Sequence, residues 1–395
     1  MSSWALDVDK NKMPPNDEAA EASRWQRHAI YRVPAFIKDL NPKAYRPQVV
    51  SLGPFHHGDA ALLPMEAHKR RALAHLLRRS GRPLEEFTAA MRGAAEQLES
   101  AYRDLGAEWR GDRERFLDML IVDGCFLLEA MRVAKDVGVG DDGYATSDPV
   151  FSRHGVLYVM PFIRRDMLML ENQLPLLVLE RLVAVMTAQP PSHQEINRMV
   201  LWFLSPSSPA VGVELGLHPL AVYRGSLVHG SSRRPDSRDL LDTYQEETII
   251  RPAVELHEAG VRFKRSWTNS LRDVRFRRGV LRVPALCVDD STEYALLNMM
   301  AFERLHAGAG SDVAAYVFFM SNVLGSARDV ALLRSEGVVQ NAAAGSDKAV
   351  AQMFERMSKD VVFDPESAID AVHRHVNAYC RRWRPWRMWW RWRQA

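Results

Sequence analysis

The chain has 395 residues, 47% of them hydrophobic and 26% charged, so it can bury a sizeable core in one large or two smaller domains. A net charge of +3 is too small for a dedicated nucleic-acid binder. Cys125, Cys287 and Cys380 are few, odd in number and far apart, which argues against a disulfide framework or a cysteine zinc site and fits a reducing compartment.

Residues 1–23 are polar, contain Pro14-Pro15 and lack an apolar h-region. They predict a disordered N-terminal segment, not a secretory signal. Residues 24–384 predict a single large, mainly α-helical domain with a small β-hairpin and short extended segments. Val49-Val50-Ser51-Leu52-Gly53-Pro54-Phe55 reads as one such segment, closed by Gly-Pro. Pro64 opens a helix over 65–77, and a second is expected from Leu84 to about Leu105, after the Gly81-Arg82-Pro83 break. Residues 116–131 are apolar on nearly every face and belong in a core, with Asp118, Asp123 and Glu129 as the exceptions. Residues 138–149 form a loop, and 156–162 read as an extended lead into the stretch that organises the chain.

That stretch, residues 164–182, sets Arg164, Arg165, Asp166, Glu171, Asn172 and Gln173 beside Met and Leu, then turns apolar. Pro175 fits the first turn of a helix over 176–186, and Glu171, Asn172 and Gln173 are expected to accept that helix's free N–H groups. Leu176, Leu177, Leu179 and Leu182 should then bury against Phe126, Leu127 and Leu128. Proline-rich linkers at 189–192 and 205–209 place a sublobe junction near 187–209. Residues 231–239 read as a basic, polar loop. Val274, Phe276, Leu281 and Val283 alternate with arginines around Gly279, which predicts the hairpin. Helical spacing returns at 297–305, at 316–324 and in a last helix marked by Ile369, Val372, Val376, Tyr379 and Trp383. The charge-free run 313–327 falls short of the roughly 20 apolar residues that span a bilayer.

Several collinear motifs carry a family resemblance. Val49-Val50-Ser51-Leu52-Gly53-Pro54-Phe55-His56-His57-Gly58, with Met65-Glu66-Ala67-His68-Lys69, resembles the opening of the plant domain-of-unknown-function 247 family. Asp123-Gly124-Cys125-Phe126-Leu127-Leu128-Glu129 and Asp166-Met167-Leu168-Met169-Leu170-Glu171-Asn172-Gln173-Leu174-Pro175 are similar to its central motifs. Glu258-Ala259-Gly260-Val261-Arg262-Phe263, Gly279-Val280-Leu281-Arg282-Val283-Pro284-Ala285-Leu286, Asn298-Met299-Met300-Ala301-Phe302-Glu303 and Arg328-Asp329-Val330-Ala331-Leu332-Leu333-Arg334 follow in order. The resemblance covers residues 28–387. It implies no assigned activity, cofactor or catalytic residue. Members typically end in a hydrophobic helix that anchors them to a membrane, and some are linked to self-incompatibility loci in grasses, which implies recognition between proteins. Here Trp383-Arg384-Pro385-Trp386-Arg387 is followed only by Met388-Trp389-Trp390-Arg391-Trp392-Arg393-Gln394-Ala395. The expected location is therefore cytoplasmic or peripheral to a membrane.

Each constellation with a chemical look has a plainer reading. Gly138-Val139-Gly140-Asp141-Asp142-Gly143 spells the dinucleotide fingerprint, but two aspartates would repel the phosphates, so an acidic loop is favoured. His56 and His57, with Asp59, Glu66 and His68, suggest a metal, yet adjacent histidines in an extended segment face opposite sides. Asp123, Cys125 and Glu129 resemble a nucleophile with two acids, but a thiol amid Phe and Leu has a raised pKa, and helix packing is favoured. Arg164, Arg165, Asp166, Glu171, Asn172, Glu180 and Arg181 form either an exposed recognition patch or an internal ion-pair and capping network. Their interleaving with Met and Leu favours the network. The tail, 385–395 with the residues just before it, packs Arg381, Arg382, Arg384, Arg387, Arg391 and Arg393 among Trp383, Trp386, Trp389, Trp390 and Trp392. It reads first as a remnant of a lost anchor, next as a weak peripheral membrane contact, and last as a nucleic-acid contact.

The resulting expectation is a non-enzymatic protein without cofactor or metal, acting on an unknown protein partner. The alternative is an enzyme whose site is assembled from scattered polar residues. A cleft lined by acids or histidines around Asp123, His56 and Arg164 would favour the alternative.

Overall fold

The computed structural model describes residues 28–39, 41–135, 143–206, 212–230, 249–341, 345–359, 361 and 367–393, with 382–393 as backbone only. The expected N-terminal disorder, most of the 138–143 fingerprint, the 231–239 loop and the side chains of Arg382 and the residues after it lie outside that description.

Helices dominate. Those of nine or more residues are α1 (Leu63–Ser80), α2 (Leu84–Arg92), α3 (Arg113–Lys135), α4 (Leu176–Thr187), α5 (His193–Leu204), α6 (Pro219–Leu227), α7 (Thr292–Leu305), α8 (Asp312–Val323), α9 (Ala327–Ser335), α10 (Asp347–Met357) and α11 (Ala368–Arg393). The strands are short: β1 (Arg262–Arg265), β2 (Arg275–Arg277), β3 (Val280–Val283), β4 (Leu286–Val288) and β5 (Val339–Asn341). The expected hairpin is β2–β3, whose two-residue loop puts both Arg278 and Gly279 at positive φ, the twist a tight hairpin needs. β1 adds in parallel on the other side of β3, and β4 pairs with β5.

The buried apolar side chains form two clusters. The first is built around α3, which is flanked by α1, α2, α4 and α5 and is therefore apolar on nearly every face. Gly124 allows the closest approach to α4, since a Cβ there would lie 2.5 Å from Leu182 and 2.8 Å from Val178. The second cluster gathers α6 to α11 and β1–β3 around Phe263, Tyr316, Phe319 and Phe354. Residues 167–175 pass between them without regular structure: Met167 and Leu174 enter the first cluster, Leu168 and Leu170 the second.

Some local expectations are corrected. The helix expected from 84 to 105 breaks at Gly93, and a separate turn, Ala95–Ser100, turns Leu98 into the core. Residues 156–162 are helical, because Ser152 caps Arg153–Tyr158 and Pro161 seeds Met160–Asp166. Pro385 has no N–H to give the ladder of the last helix, yet the backbone stays helical to Arg393. Among the described residues no helix is long and apolar enough to cross a membrane.

Leu176, Val178, Leu179 and Leu182 are fully buried with Phe126, Leu127 and Leu128, and Leu177 is partly so. Leu179→Ala should therefore lower stability by about 2–5 kcal/mol, read as a shifted urea midpoint with an unchanged slope. An unshifted midpoint would remove Leu179 from the core.

Candidate functional site

The polar residues of the central motifs converge on the joint between the clusters. Asp166 ends its short helix buried, and its carboxylate accepts the N–H groups of Gln48, Val49 and Val50 at 2.7–3.1 Å. Asn172 accepts from Leu52 N–H at 2.7 Å and donates to Val50 O and Asp166 O. The extended segment 48–53 thus has its ladder partners replaced by side chains of the organising stretch. Gly53 sits at φ 73°, where a Cβ would lie 2.6 Å from the Gln173 carbonyl, so neither the conformation nor the space admits a side chain.

Glu171, Asn172 and Gln173 do not cap the helix that follows them. Leu176 N–H goes instead to Leu217 O, while Gln173 Oε1 accepts from Leu220 at the start of α6 and Glu171 accepts from Val33 N–H and Lys38. Pro175 turns the chain so that its own helix points away from these acceptors, which makes them available to more distant segments. His218 is fully buried, and burial pushes its pKa down to about 3. The neutral ring has Nε2 3.1 Å from Ala29 O, and Nδ1 lies 3.1 Å from Gln173 Oε1 and 3.2 Å from Ala221 N.

The arrangement that most resembles catalytic machinery lies beneath this joint. Lys69 Nζ is 3.0 Å from Ser51 Oγ, the spacing of a serine–lysine pair. Its other two protons go to Asp123 at 2.7 Å and Glu66 at 2.6 Å, so the ammonium has no lone pair to offer as a base. Lys69, Ser51 and Asp123 are all buried, and Asp123 also takes Gly53 N–H. Burial raises the Asp123 pKa against the pull of Lys69. Six residues along α3, Glu129 binds Arg79, Arg132 and Tyr144. Burial raises its pKa, but the guanidinium bonds outweigh this and hold it below the usual value. Burial pushes the Cys125 thiol far up, so the imagined nucleophile is inert, and all three cysteines are free thiols. His56 faces Asp59 and Glu171, whereas His57 meets Trp109 edge-on, so the two rings point to different places. Among the described residues no His, Cys, Asp and Glu cluster in a way that could hold a metal ion.

Two residues expected in the internal network leave it. Arg164 and Arg165 line a cleft of about 850 Å³ whose other walls include Tyr223, Arg265, Asn269, Cys287, Asp289 and Asp290. Arg164 lies over the Phe203 ring, and Arg165 lies between Phe162 and Tyr294. Desolvation lowers the Arg164 pKa. Glu180 and Arg181 lie apart from both groups, on the outer side of α4 beside His193. The cleft itself was missed. Its walls come from segments more than 100 residues apart, and only the density of Arg in 262–282 marks one of them.

A model of a family described as plant protein of unknown function, the domain-of-unknown-function 247 family, matches residues 30–395. UPF0481 protein At3g47200 of Arabidopsis thaliana is 27% identical over 388 residues, 92% of this chain and 79% of that protein. Putative UPF0481 protein At3g02645 of the same plant is 30% identical over 155 residues, 38% of this chain and 29% of that protein. No solved structure matches the chain.

The depressed Glu129 pKa fixes a sign. Its pairing stabilises the fold above the unfolded value of 4.5 and is lost as pH falls through the lower folded value. Glu129→Gln should cost about 3 kcal/mol at neutral pH, and the gap to the parent chain should close below about pH 4.5. Denaturant melts of the two chains across pH 3–7 test this, and a gap that ignores pH would sink the assignment.

Proposed function

This chain belongs to the plant domain-of-unknown-function 247 family, and on that footing we propose that it acts by recognising another protein rather than by catalysis. One observation carries the reading. The segments that line the 850 Å³ cleft carry large apolar side chains left in water: Tyr158 at 63% exposure and Phe162 at 44% flank the lining residue Pro161 in sequence, and Trp267 at 81% lies between the lining residues Arg265 and Asn269. Exposed aromatics beside arginine are the composition of interface hot spots, and large apolar side chains left in water favour a partner that covers them. The groups that resemble a catalytic set offer no competing site, because Ser51, Lys69 and Asp123 are closed in the core. Tyr158→Ser with Phe162→Ser should abolish binding of a partner purified from plant tissue and identified, measured with both pure proteins, while the melting temperature stays put. Undiminished binding by this variant would remove the surface from the function.

The tail supports a separate contact, with an anionic membrane surface. Residues 381–393 hold six arginines and five tryptophans without an acid, on a helix that continues past Pro385. Each arginine near such a surface contributes about 1 kcal/mol, and tryptophan settles at the headgroup level. The full chain should co-sediment with phosphatidylserine liposomes in a salt-sensitive manner, and a chain ending at Arg382 should not. Equal sedimentation of both would leave the tail without this role.

A further inference from the structure

We propose that the cleft beside Arg164 and Arg165 takes an extended segment of the partner protein bearing an acidic side chain, held by the guanidinium groups of Arg164, Arg165 and Arg265. The proposal deepens the recognition reading above and rests on it. Several half-buried arginines elsewhere in the chain are matched by carboxylates: Arg71 by Asp148, Arg132 by Glu129, Arg272 by Asp312. The three cleft arginines form no ion pair with any described residue. Arg165 donates to the neutral amide of Gln48, and Arg265 reaches only Asn269, at 3.4 Å. The Nε atoms of Arg164 and Arg165 are buried without a hydrogen-bond partner. A cation removed from water without an anion is costly, and an incoming carboxylate relieves that cost.

The aromatic rings fix how the guanidinium groups are presented. Phe203 lies 4.8 Å from the Arg164 guanidinium carbon, and Phe162 and Tyr294 lie 5.0 and 5.1 Å from that of Arg165. Stacked in this way, the planar groups are already ordered before a ligand arrives, so less entropy is lost on binding. The lining also holds the other sign. Asp289 and Asp290 are exposed there and form no ion pair with a described residue, and Asp289 accepts only from Ser291 and Thr292. A small inorganic anion would satisfy the arginines and be repelled by the aspartates. A polypeptide segment satisfies both, with a carboxylate toward the arginines and N–H groups or a basic side chain toward the aspartates. The volume of about 850 Å³ accommodates several residues of such a segment.

The test is selection of a displayed random-peptide library on the full chain, followed by fluorescence anisotropy with the selected peptides. The peptides should carry Asp or Glu, and changing that residue to its amide should weaken binding roughly tenfold or more. Arg164→Gln with Arg165→Gln should weaken binding as much and abolish the difference between acid and amide peptides. Arg265→Gln, at an exposed position, should weaken binding in the same direction, and it provides the test if the double variant fails to fold. Peptides without an acid, or binding indifferent to both arginine variants, would overturn the proposal. So would displacement by millimolar inorganic phosphate but not by chloride at equal ionic strength, which would mark a phosphate site. Peptides lost with Phe162→Ser or Trp267→Ser yet indifferent to the acid would overturn the acidic grip and leave the recognition reading standing. Selection of no peptide would sink the recognition reading itself.

Discussion

An irregular stretch of buried backbone lacks the partners that helix and sheet supply, and each orphaned polar group costs about 1–3 kcal/mol. Residues 167–175 are buried without a break, outside helix and strand. Two of their carbonyls are met by one side chain: Gln173 Nε2 donates to Met167 O at 2.6 Å and to Met169 O at 2.7 Å. Leu170 N–H goes to Asn298 on α7, whose amide also donates to Ala44 O. Tyr102 donates to the Gln173 carbonyl. The stretch therefore ties α3's cluster to α7's cluster through hydrogen bonds spanning from 71 to 128 residues of sequence. Remove those side chains and the two clusters have no reason to meet at this angle.

The same constraint explains why the polar residues of the central motifs look chemical and are not available. A carboxylate that accepts three backbone N–H groups, as Asp166 does, or an amide with both ends engaged, as Asn172 is, is held by the fold and closed off from a ligand by its burial. Lys69 is the extreme case, a fully buried cation whose three protons all go to fixed oxygens. Such buried charge adds little net stability relative to a well-packed apolar core. It does penalise every arrangement in which the partners fail to meet, so its effect is on which packing forms. The separation between the clusters is bridged in the same manner at Glu171, which holds Val33 and Lys38.

Helix content and the core were legible because periodicity is local. The all-apolar pattern of α3, the β2–β3 hairpin around Gly279 and the burial of Leu176, Leu179 and Leu182 follow from spacing that a few turns of chain contain. Errors arose where a single residue redirects the backbone. Ser152 caps a helix through valines that favour strand, and Gly93 divides an otherwise continuous helical pattern. The partners of Asp166, Glu171 and Gln173 were not legible, because nothing in a linear motif says that an acceptor serves a segment 118 or 138 residues away instead of the adjacent helix. The cleft was illegible for the same reason.

What separates interior from surface function in this chain is whether charge is compensated. Asp123, Glu129, Asp166 and Glu171 are interleaved with apolar residues and find donors within the fold. Arg164 and Arg165 are interleaved in the same way, one step earlier in the same motif, yet neither forms an ion pair with a described residue; they lie against aromatic faces, and Arg165 donates to a neutral amide. Their helix, Met160–Asp166, explains the difference. Met160, Ile163 and Asp166 recur at three-residue spacing on its buried side, and Arg164 and Arg165 fall beside them toward the cleft. Asp166 takes its donors from segment 48–50 at the joint, so the short helix is anchored by its acid while its cations stay uncommitted. One motif thus serves both ends, closing the core with its carboxylate and opening the cleft with its guanidinium groups.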